Sequence, residues 1–288
     1  MSGARRNKNN RITFLIRAIL ITAAVLLSAV EIPSFFSGDD GFVMYAFDVG
    51  QADSFLFRLP GGENVLVDAG TKKSGATLVS RLRNLGVRKI DVLVATHPHE
   101  DHIGGMVDVI NAFEVGRFWD SGYNHGSEAQ RSMLDRLRNG HIPFERPKAG
   151  YGELFGDVAV EVLAPAQVIR GTASDANNNS IVLRVTYGGV SFLMTGDMER
   201  DERRTIARFP RASVLKMAHH GSSNGIDERM MREVSPDIVI FSYGKGNSYG
   251  HPHREAMSLV QKYKPHSFNT SDGEIKIKTD GRTVTVEQ

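Results

Sequence analysis

Read for hydrophobic and polar positions, the chain changes character near residue 30. Residues 1–11 carry Arg5, Arg6, Lys8 and Arg11 and no acid, and the run Ile12 to Val30 holds a single charge, Arg17. Nineteen helical residues reach about 28 Å, close to the roughly 30 Å hydrocarbon core of a bilayer. A basic cytoplasmic tail (1–11) and a membrane anchor (12–30) are expected, with the remainder outside the cytoplasm. A cleaved signal segment and secretion are the alternative. A linker over 31–41 follows. From residue 42 the pattern alternates. "FVMYAFDV" (42–49), "SFLFRL" (54–59) and "NVLVDAG" (64–70) predict strands, with "PGGE" as a hairpin turn. "GATLVSRLRNLG" (75–86) repeats apolar residues at helical spacing and ends on Gly86. "DVLVAT" (91–96) predicts a buried strand and residues 125–140 a helix. Further strands are predicted in "VAVEVLAP", "SIVLRVTYGG", "VSFLMTGD", "SVLKM" and "DIVIFSYG", a helix in "HREAMSLVQKY", and short closing strands after it. Strands interleaved with helices predict one α/β domain of layered sheets over 42–288.

Composition alters this picture in two ways. The chain has no cysteine. Disulfides and thiolate metal sites are therefore excluded, and any metal must be held by His and carboxylates. The whole chain carries 35 basic and 33 acidic residues, +2, but residues 1–30 hold five of the basic ones and no acid. Residues 31–288 therefore carry 30 basic and 33 acidic residues, −3. Net charge gives no support for a nucleic-acid surface.

Candidate chemistry lies where strands end, as is usual in α/β proteins. "THPHEDH", "TGDME", "AHHGSS" and "YGKGNSYGHPH" each follow a predicted strand and together hold seven of the ten histidines. In H-x-H-x-D-H, His97 and His99 can point the same way from an extended segment, and Asp101 and His102 come after a turn. That spacing suits two metals sharing one loop, with Asp197 between them. An all-N/O donor set suits Zn²⁺ or Mn²⁺. A lone histidine here would read as a hydrogen-bonded residue; the six-position cluster reads as a metal site.

These residues carry a resemblance. "LVDAG" (66–70), "THPHEDHIGG" (96–105) and "TGD" (195–197), in that order, resemble the metallo-β-lactamase fold superfamily. "FDVGQADS" (47–54), "NNNSIVLRVTYGGVSFLMTGDME" (177–199), "LKMAHHGSS" (215–223) and "NSYGHPH" (247–253) resemble its ComEC-type competence-protein hydrolase branch. The resemblance spans about residues 42–280 and implies a four-layer αββα sandwich, here preceded by one N-terminal hydrophobic helix. It implies that His97 and His99 bind one metal and Asp101 and His102 the other, that Asp197 bridges, and that His220, or else His251, is the last ligand. Asp68 and Asp48 are implied as carboxylates that brace the metal loop; a turn-forming Asp is the plainer reading of Asp68. The chain departs from the superfamily pattern where a further histidine would precede "TGD". "SDANNNS" stands there, so Asn177, Asn178 or Asn179 would substitute weakly or water would fill the position, leaving one metal site weak or empty. The branch usually has Asp where this chain has His99, and Gly where it has Ala52.

The implied activity is metal-dependent hydrolysis. A metal lowers the pKa of its bound water to about 7 and supplies hydroxide. Asp101 would orient that nucleophile, and His219 would contact the substrate or protonate the leaving group. Ser222 and His251 are further candidates for substrate contact. The "NSYGHP" loop reads equally as a phosphate cradle or as a plain turn. A phosphodiesterase or nuclease acting on nucleic acid outside the cytoplasm is favoured. The alternatives are a hydrolase of small esters, lactones or lactams, and a non-catalytic membrane-tethered metal-binding module.

Overall fold

The computed structural model describes residues 41–288. The basic tail and hydrophobic segment expected over 1–30 lie outside the described residues. The first half of the domain builds β1 (Phe42–Ala46), β2 (Phe55–Arg58), β3 (Asn64–Val67), α1 (Gly75–Asn84), β4 (Lys89–Ala95), α2 (Glu100–Ile103), α3 (Met106–Ala112), β5 (Glu114–Asp120), α4 (Glu128–Asn139) and β6 (Phe144–Glu145). The second half builds β7 (Gly152–Phe155), β8 (Val158–Ala164), β9 (Val182–Tyr187), β10 (Val190–Met194), α5 (Arg200–Thr205), β11 (Val214–Lys216), α6 (Glu228–Val234), β12 (Ile238–Phe241), α7 (Arg254–Tyr263) and β13 (His266–Asn269). Two last strands, β14 (Ile275–Thr279) and β15 (Val284–Glu287), return to the first sheet.

Among the described residues the strands form two sheets, ordered β15-β14-β1-β2-β3-β4-β5-β6 and β13-β12-β11-β10-β9-β8-β7. Each has antiparallel neighbours at one end and parallel ones at the other: β3, β4, β5 and β6 run parallel in one, and β10, β11, β12 and β13 in the other. The parallel strands are covered on both faces, which is why "NVLV", "VLVA" and "IVIF" are continuous apolar runs and not alternating ones. Phe42, Phe57, Val65, Val160, Phe192 and Ile240 fill the space between the sheets. Leu78, Leu82, Val109, Met133 and Leu137 lay their helices on the outer face of the first sheet. Met230, Val234, Ala256 and Val260 do the same on the second. Helix, sheet, sheet, helix is the expected order of layers.

The structure also contains elements that the hydrophobic pattern did not predict. Strand β5 interrupts its apolar residues with Gly116 and Arg117. It is a strand through parallel pairing with β4 and β6, and Arg117 is accommodated by lying over the Trp119 ring, 5.6 Å from its centroid, and pairing with Glu153 of β7. Helix α6 is short and is set by Asp227, whose carboxylate accepts a hydrogen bond from the Met230 N–H. Two glycines let the loops close over one another. A Cβ at Gly105 would meet the Ala69 carbonyl oxygen at 2.2 Å, and Gly196 takes φ +50 in contact with Ser180 and Thr96.

The aromatic stack between the sheets is a direct test of this packing. Phe192 stacks on Phe42 with ring centroids 5.1 Å apart and meets Phe57 edge-on at 5.7 Å, fully buried. Phe192→Ala should cost about 3–5 kcal/mol, read as a lower denaturant midpoint at unchanged slope. A loss below about 1 kcal/mol would show that the layer does not pack as described.

Candidate metal centre

The carboxyl ends of β3, β4, β10, β11 and β12 deliver polar loops to one place. After β3, Asp68 adopts a left-handed backbone (φ 60). Its carboxylate accepts hydrogen bonds from the Thr96 N–H (2.8 Å) and Thr96 hydroxyl (2.7 Å) and lies 2.7 Å from His102 Nδ1. That fixes the start of the histidine loop and turns His102 Nε2 inward. After β4, His97 Nε2 and His99 Nδ1 stand 3.1 Å apart. After β11, His219 and His220 both take left-handed backbone (φ 49 and 53). Strain of this kind collects at functional sites.

One oxygen is the focus. Asp197 Oδ2 lies 3.3 Å from His102 Nε2, 3.5 Å from His220 Nε2, 3.7 Å from His219 Nε2 and 3.9 Å from His97 Nε2. Asp101 Oδ2 lies 3.1 Å from His220 Nε2. Donor atoms of Asp101, His102, Asp197 and His220 all fall within 4.8 Å of one another. His102 Nε2 is buried and makes no hydrogen bond. A buried imidazole nitrogen without a partner, facing two carboxylates, is what a cation would satisfy. The donors present fit a divalent metal of the Zn²⁺ or Mn²⁺ kind by ligand type.

The electrostatics match. Burial alone would lower the pKa of His220, but Asp197 and Asp53 outweigh it and push it up to about 10. Burial opposes the same effect at His102, which Asp197, Asp68 and Asp101 hold well above its ordinary value. Burial takes His97 well below its ordinary value and also lowers His99. Against burial, the charges of His220, His102 and Lys216 hold Asp197 well below the usual carboxylate range.

The other predicted residues divide into two groups. His219 flanks the cluster, partly exposed, with Nδ1 3.1 Å from Glu199 Oε1. His251 is placed beside it, its ring 5.6 Å from His219 and 6.0 Å from His220, and Nδ1 3.2 Å from Gln51 Nε2. Burial and the neighbouring His220 lower its pKa to about 4. Asn178 and Asn179 are buried and turned to neighbouring backbone. Asn178 Oδ1 accepts from the N–H groups of Asp201 and Glu202, and Asn179 bonds Ile169 and Asp175. Ser222 accepts from the Asn224 N–H, and Asp48 from the Gly50 N–H. The carboxylate that the "DVGQAD" loop does bring in is Asp53. Its Oδ1 is 3.3 Å from His220 Nδ1, and its Oδ2 is 3.8 Å from His102 Nδ1 and paired with Lys216. Sequence reading missed both Asp53 and Lys216, since the first looks like a turn residue and the second like an ordinary strand cation. The available signal was a Lys at the end of an apolar strand directly before two histidines.

A buried cluster of His and Asp donors at the carboxyl ends of two facing sheets fits the metal-dependent hydrolase class. The chain belongs to the metallo-β-lactamase superfamily, whose family profile matches residues 47–244. It is 29% identical to ComE operon protein 3 of Bacillus subtilis over 83% of this chain and 33% of that protein. It is 30% identical to competence protein ComA of Neisseria gonorrhoeae over 75% of this chain and 29% of that protein, and 28% identical to recombination protein 2 of Haemophilus influenzae over 80% and 28%. The chain thus spans a third or less of the length of these relatives. Among solved structures it is similar to the metallo-β-lactamase fold protein YhfI of Bacillus subtilis (TM-score 0.51, 14% identity, 85% of this chain and 100% of that one). It is also similar to CmlA, a diiron β-hydroxylase of Streptomyces venezuelae (TM-score 0.55, 14% identity, 84% and 55%).

Two measurements follow from the geometry. Without metal, the raised His102 and His220 contribute stability that is fully present below about 6.5 and lost as pH rises through about 10. The lowered His97, His99 and His251 act with the opposite sign, so stability also falls as pH drops below about 6.5. Metal-free protein should therefore melt highest near neutral pH and decline on each side. Metal displaces the protons and flattens the alkaline limb. Thermal melts from about pH 5 to 10 check this; a metal-free Tm that climbs between neutrality and about pH 9 contradicts it. Asp53→Asn should weaken metal binding about 10–100-fold in chelator competition, whereas Asp48→Asn should stay within about twofold. Equal losses would return the bracing role to Asp48.

Proposed function

We propose that this chain is a metal-dependent phosphodiesterase acting on nucleic acid outside the cytoplasm, held at the membrane by residues 12–30. The observation that carries the reading is the ring of four imidazoles around the single oxygen Asp197 Oδ2. A carboxylate so placed suits a bridge between two cations. His97 and His99 would serve one and Asp101, His102 and His220 the other. With Asp197 the second group makes four donors within 4.8 Å of one another, so its position is the stronger of the two. Likeness to two competence proteins and a recombination protein favours a nucleic-acid substrate over a small ester, lactone or lactam. Retention of every first-choice donor argues against a non-catalytic module.

When bound, the divalent ions supply an activated water and charge to offset that developing on a phosphoryl oxygen. The residues of the chain do the rest. Asp101, about 30% exposed at its side chain, faces the opening and orients the attacking water. His219 Nε2 points into the site and hands a proton to the leaving oxygen, and Glu199 Oε1 lies 3.1 Å behind Nδ1. Asn177 Nδ2 in turn bonds Glu199 at 3.0 Å. Asp68 at His102 Nδ1 and the Ser242 carbonyl at His220 Nδ1 fix both rings so that Nε2 of each is turned to the donor cluster.

The full-length protein in detergent, loaded with Mn²⁺ or Zn²⁺, should cleave bis(p-nitrophenyl) phosphate and end-labelled DNA. An Asp101→Ala, Asp197→Ala double variant should lose both by at least about a hundredfold. Cleavage of p-nitrophenyl acetate or a chromogenic lactam without diester cleavage, from protein shown to hold metal, overturns the substrate class in favour of the ester reading. Absence of both, with metal bound, overturns hydrolysis altogether.

A further inference from the structure

The loop between β12 and α7 presents one side chain that nothing in the metal cluster uses. Tyr249 is 67% exposed. One face of its ring stacks on His251 with centroids 5.6 Å apart and planes 19° from parallel. The other face is open to solvent, and His251 reaches His219 and His220. The loop is held firmly for one so exposed. Asn247 Nδ2 donates to the carbonyls of Gly244 and His251 at 3.2 and 2.8 Å, and its Oδ1 accepts from the His251 N–H at 3.0 Å. Gln51 Oε1 accepts from the Gly244 N–H, and His253 Nε2 lies 3.1 Å from the Tyr249 carbonyl. The aromatic ring is therefore presented at little further entropic cost on binding. Lys245 is exposed on the same loop.

A second aromatic station flanks the cluster from the His99 side. The exposed His125 ring meets His99 edge-on at 5.3 Å. Two residues earlier, Tyr123 carries the Arg170 guanidinium 5.4 Å over its ring. Tyr249 adjoins His251, and the segment that carries Tyr123 reaches His99 through His125. Aromatic faces with single cations beside them are the elements that bind unpaired bases without reading sequence. In a duplex those base faces are hidden. With −3 net charge on residues 31–288, long-range attraction for phosphate is weak, which leaves stacking as the main source of affinity.

We propose that Tyr249 is a base-stacking platform, with Tyr123–Arg170 as a second station, which makes the site selective for single-stranded nucleic acid whose diester lies over the donor cluster. The proposal names the substrate form for the phosphodiesterase reading and rests on it. It is tested with full-length, metal-loaded protein and fluorescein-labelled oligothymidylate carrying phosphorothioate linkages, by anisotropy, against a duplex of mixed sequence. Tyr249→Ala should weaken single-strand binding by at least about fivefold and leave duplex binding within about twofold. Tyr249→Phe and Tyr249→Trp should bind single strands about as well as the parent, because the ring face and not the hydroxyl is used. The salt dependence should be shallow, with few counterions released. Unchanged binding by Tyr249→Ala overturns the proposal. So does an equal loss for duplex, or a loss in Tyr249→Phe that matches the Ala variant. The two readings fail separately. If diesters are cleaved but Tyr249→Ala binds single strands normally, the platform falls and the chemistry stands. If strand binding depends on the Tyr249 ring but no diester is cleaved, the chemistry falls and the platform stands.

Discussion

A lysine cannot be buried to 1% exposure without a partner, and the partners of Lys216 organise this protein. Its ammonium pairs with Asp53, donates to the Gly196 carbonyl at 2.7 Å and lies 3.4 Å from Asp197 Oδ1. Asp53 belongs to the loop after β1 in the first sheet, and Asp197 and Lys216 belong to the second. The ion pair therefore ties the two sheets together at the edge where the donors collect. It also assigns the two oxygens of Asp197 different tasks: Oδ1 is held by Lys216, and Oδ2 is left for the imidazoles. Removing either charge would leave the other buried with its main counter-charge gone, which costs more than the pair contributes. Burial lowers a lysine pKa, yet Asp53 and Asp197 outweigh it here and keep Lys216 charged.

How much of this was legible in the sequence varies with the physics involved. Continuous apolar runs marked the parallel strands, and strand-end polar motifs marked four of the loops that meet, because both signals are local. The layer order followed from the motif resemblance. The elements that were missed have weak local patterns: β5 breaks its apolar run with Gly116 and Arg117 and is held by pairing to β4 and β6, and α6 is a short helix marked only by its Asp227 cap. In the site, the histidine-rich stretch was plain. Asp53 and Lys216 were not, since each becomes functional only through a contact with a loop more than a hundred residues away. The same limit explains Asn178 and Asn179. In sequence they stand where a ligand is missing, but in space their amides are consumed by the backbone of 169–175 and 201–202.

Left-handed backbone at Asp68, His219 and His220 is held by the same network that orients the donors. The Asp68 carboxylate takes two hydrogen bonds from Thr96, and the Ser222 N–H closes on the His219 carbonyl at 2.7 Å. His220 Nδ1 is 2.8 Å from the Ser242 carbonyl, and the Ser242 hydroxyl donates to the Ala52 carbonyl across the sheets. Each conformation would be unfavourable for a free chain. Together they aim imidazole nitrogens at one oxygen. Rigid placement of this kind is what separates a metal centre from a surface histidine cluster.

The scaffold does not choose the substrate. YhfI and the diiron hydroxylase CmlA share the two-sheet arrangement with this chain at 14% identity, so the fold carries more than one chemistry. In this chain the donors sit on short loops directly at strand ends. The exposed rim lies further out, on the loop of residues 242–253 and on the segment 121–127. These segments are pinned at their bases, by Gln51 and Asn247 on one side and by Gln130, which bonds the backbone of Tyr123, His125 and Gly126, on the other. Their tips are free of the core. Substitutions at the tips can change what is bound without disturbing the Lys216–Asp53–Asp197 base, whereas substitutions at the base disturb both.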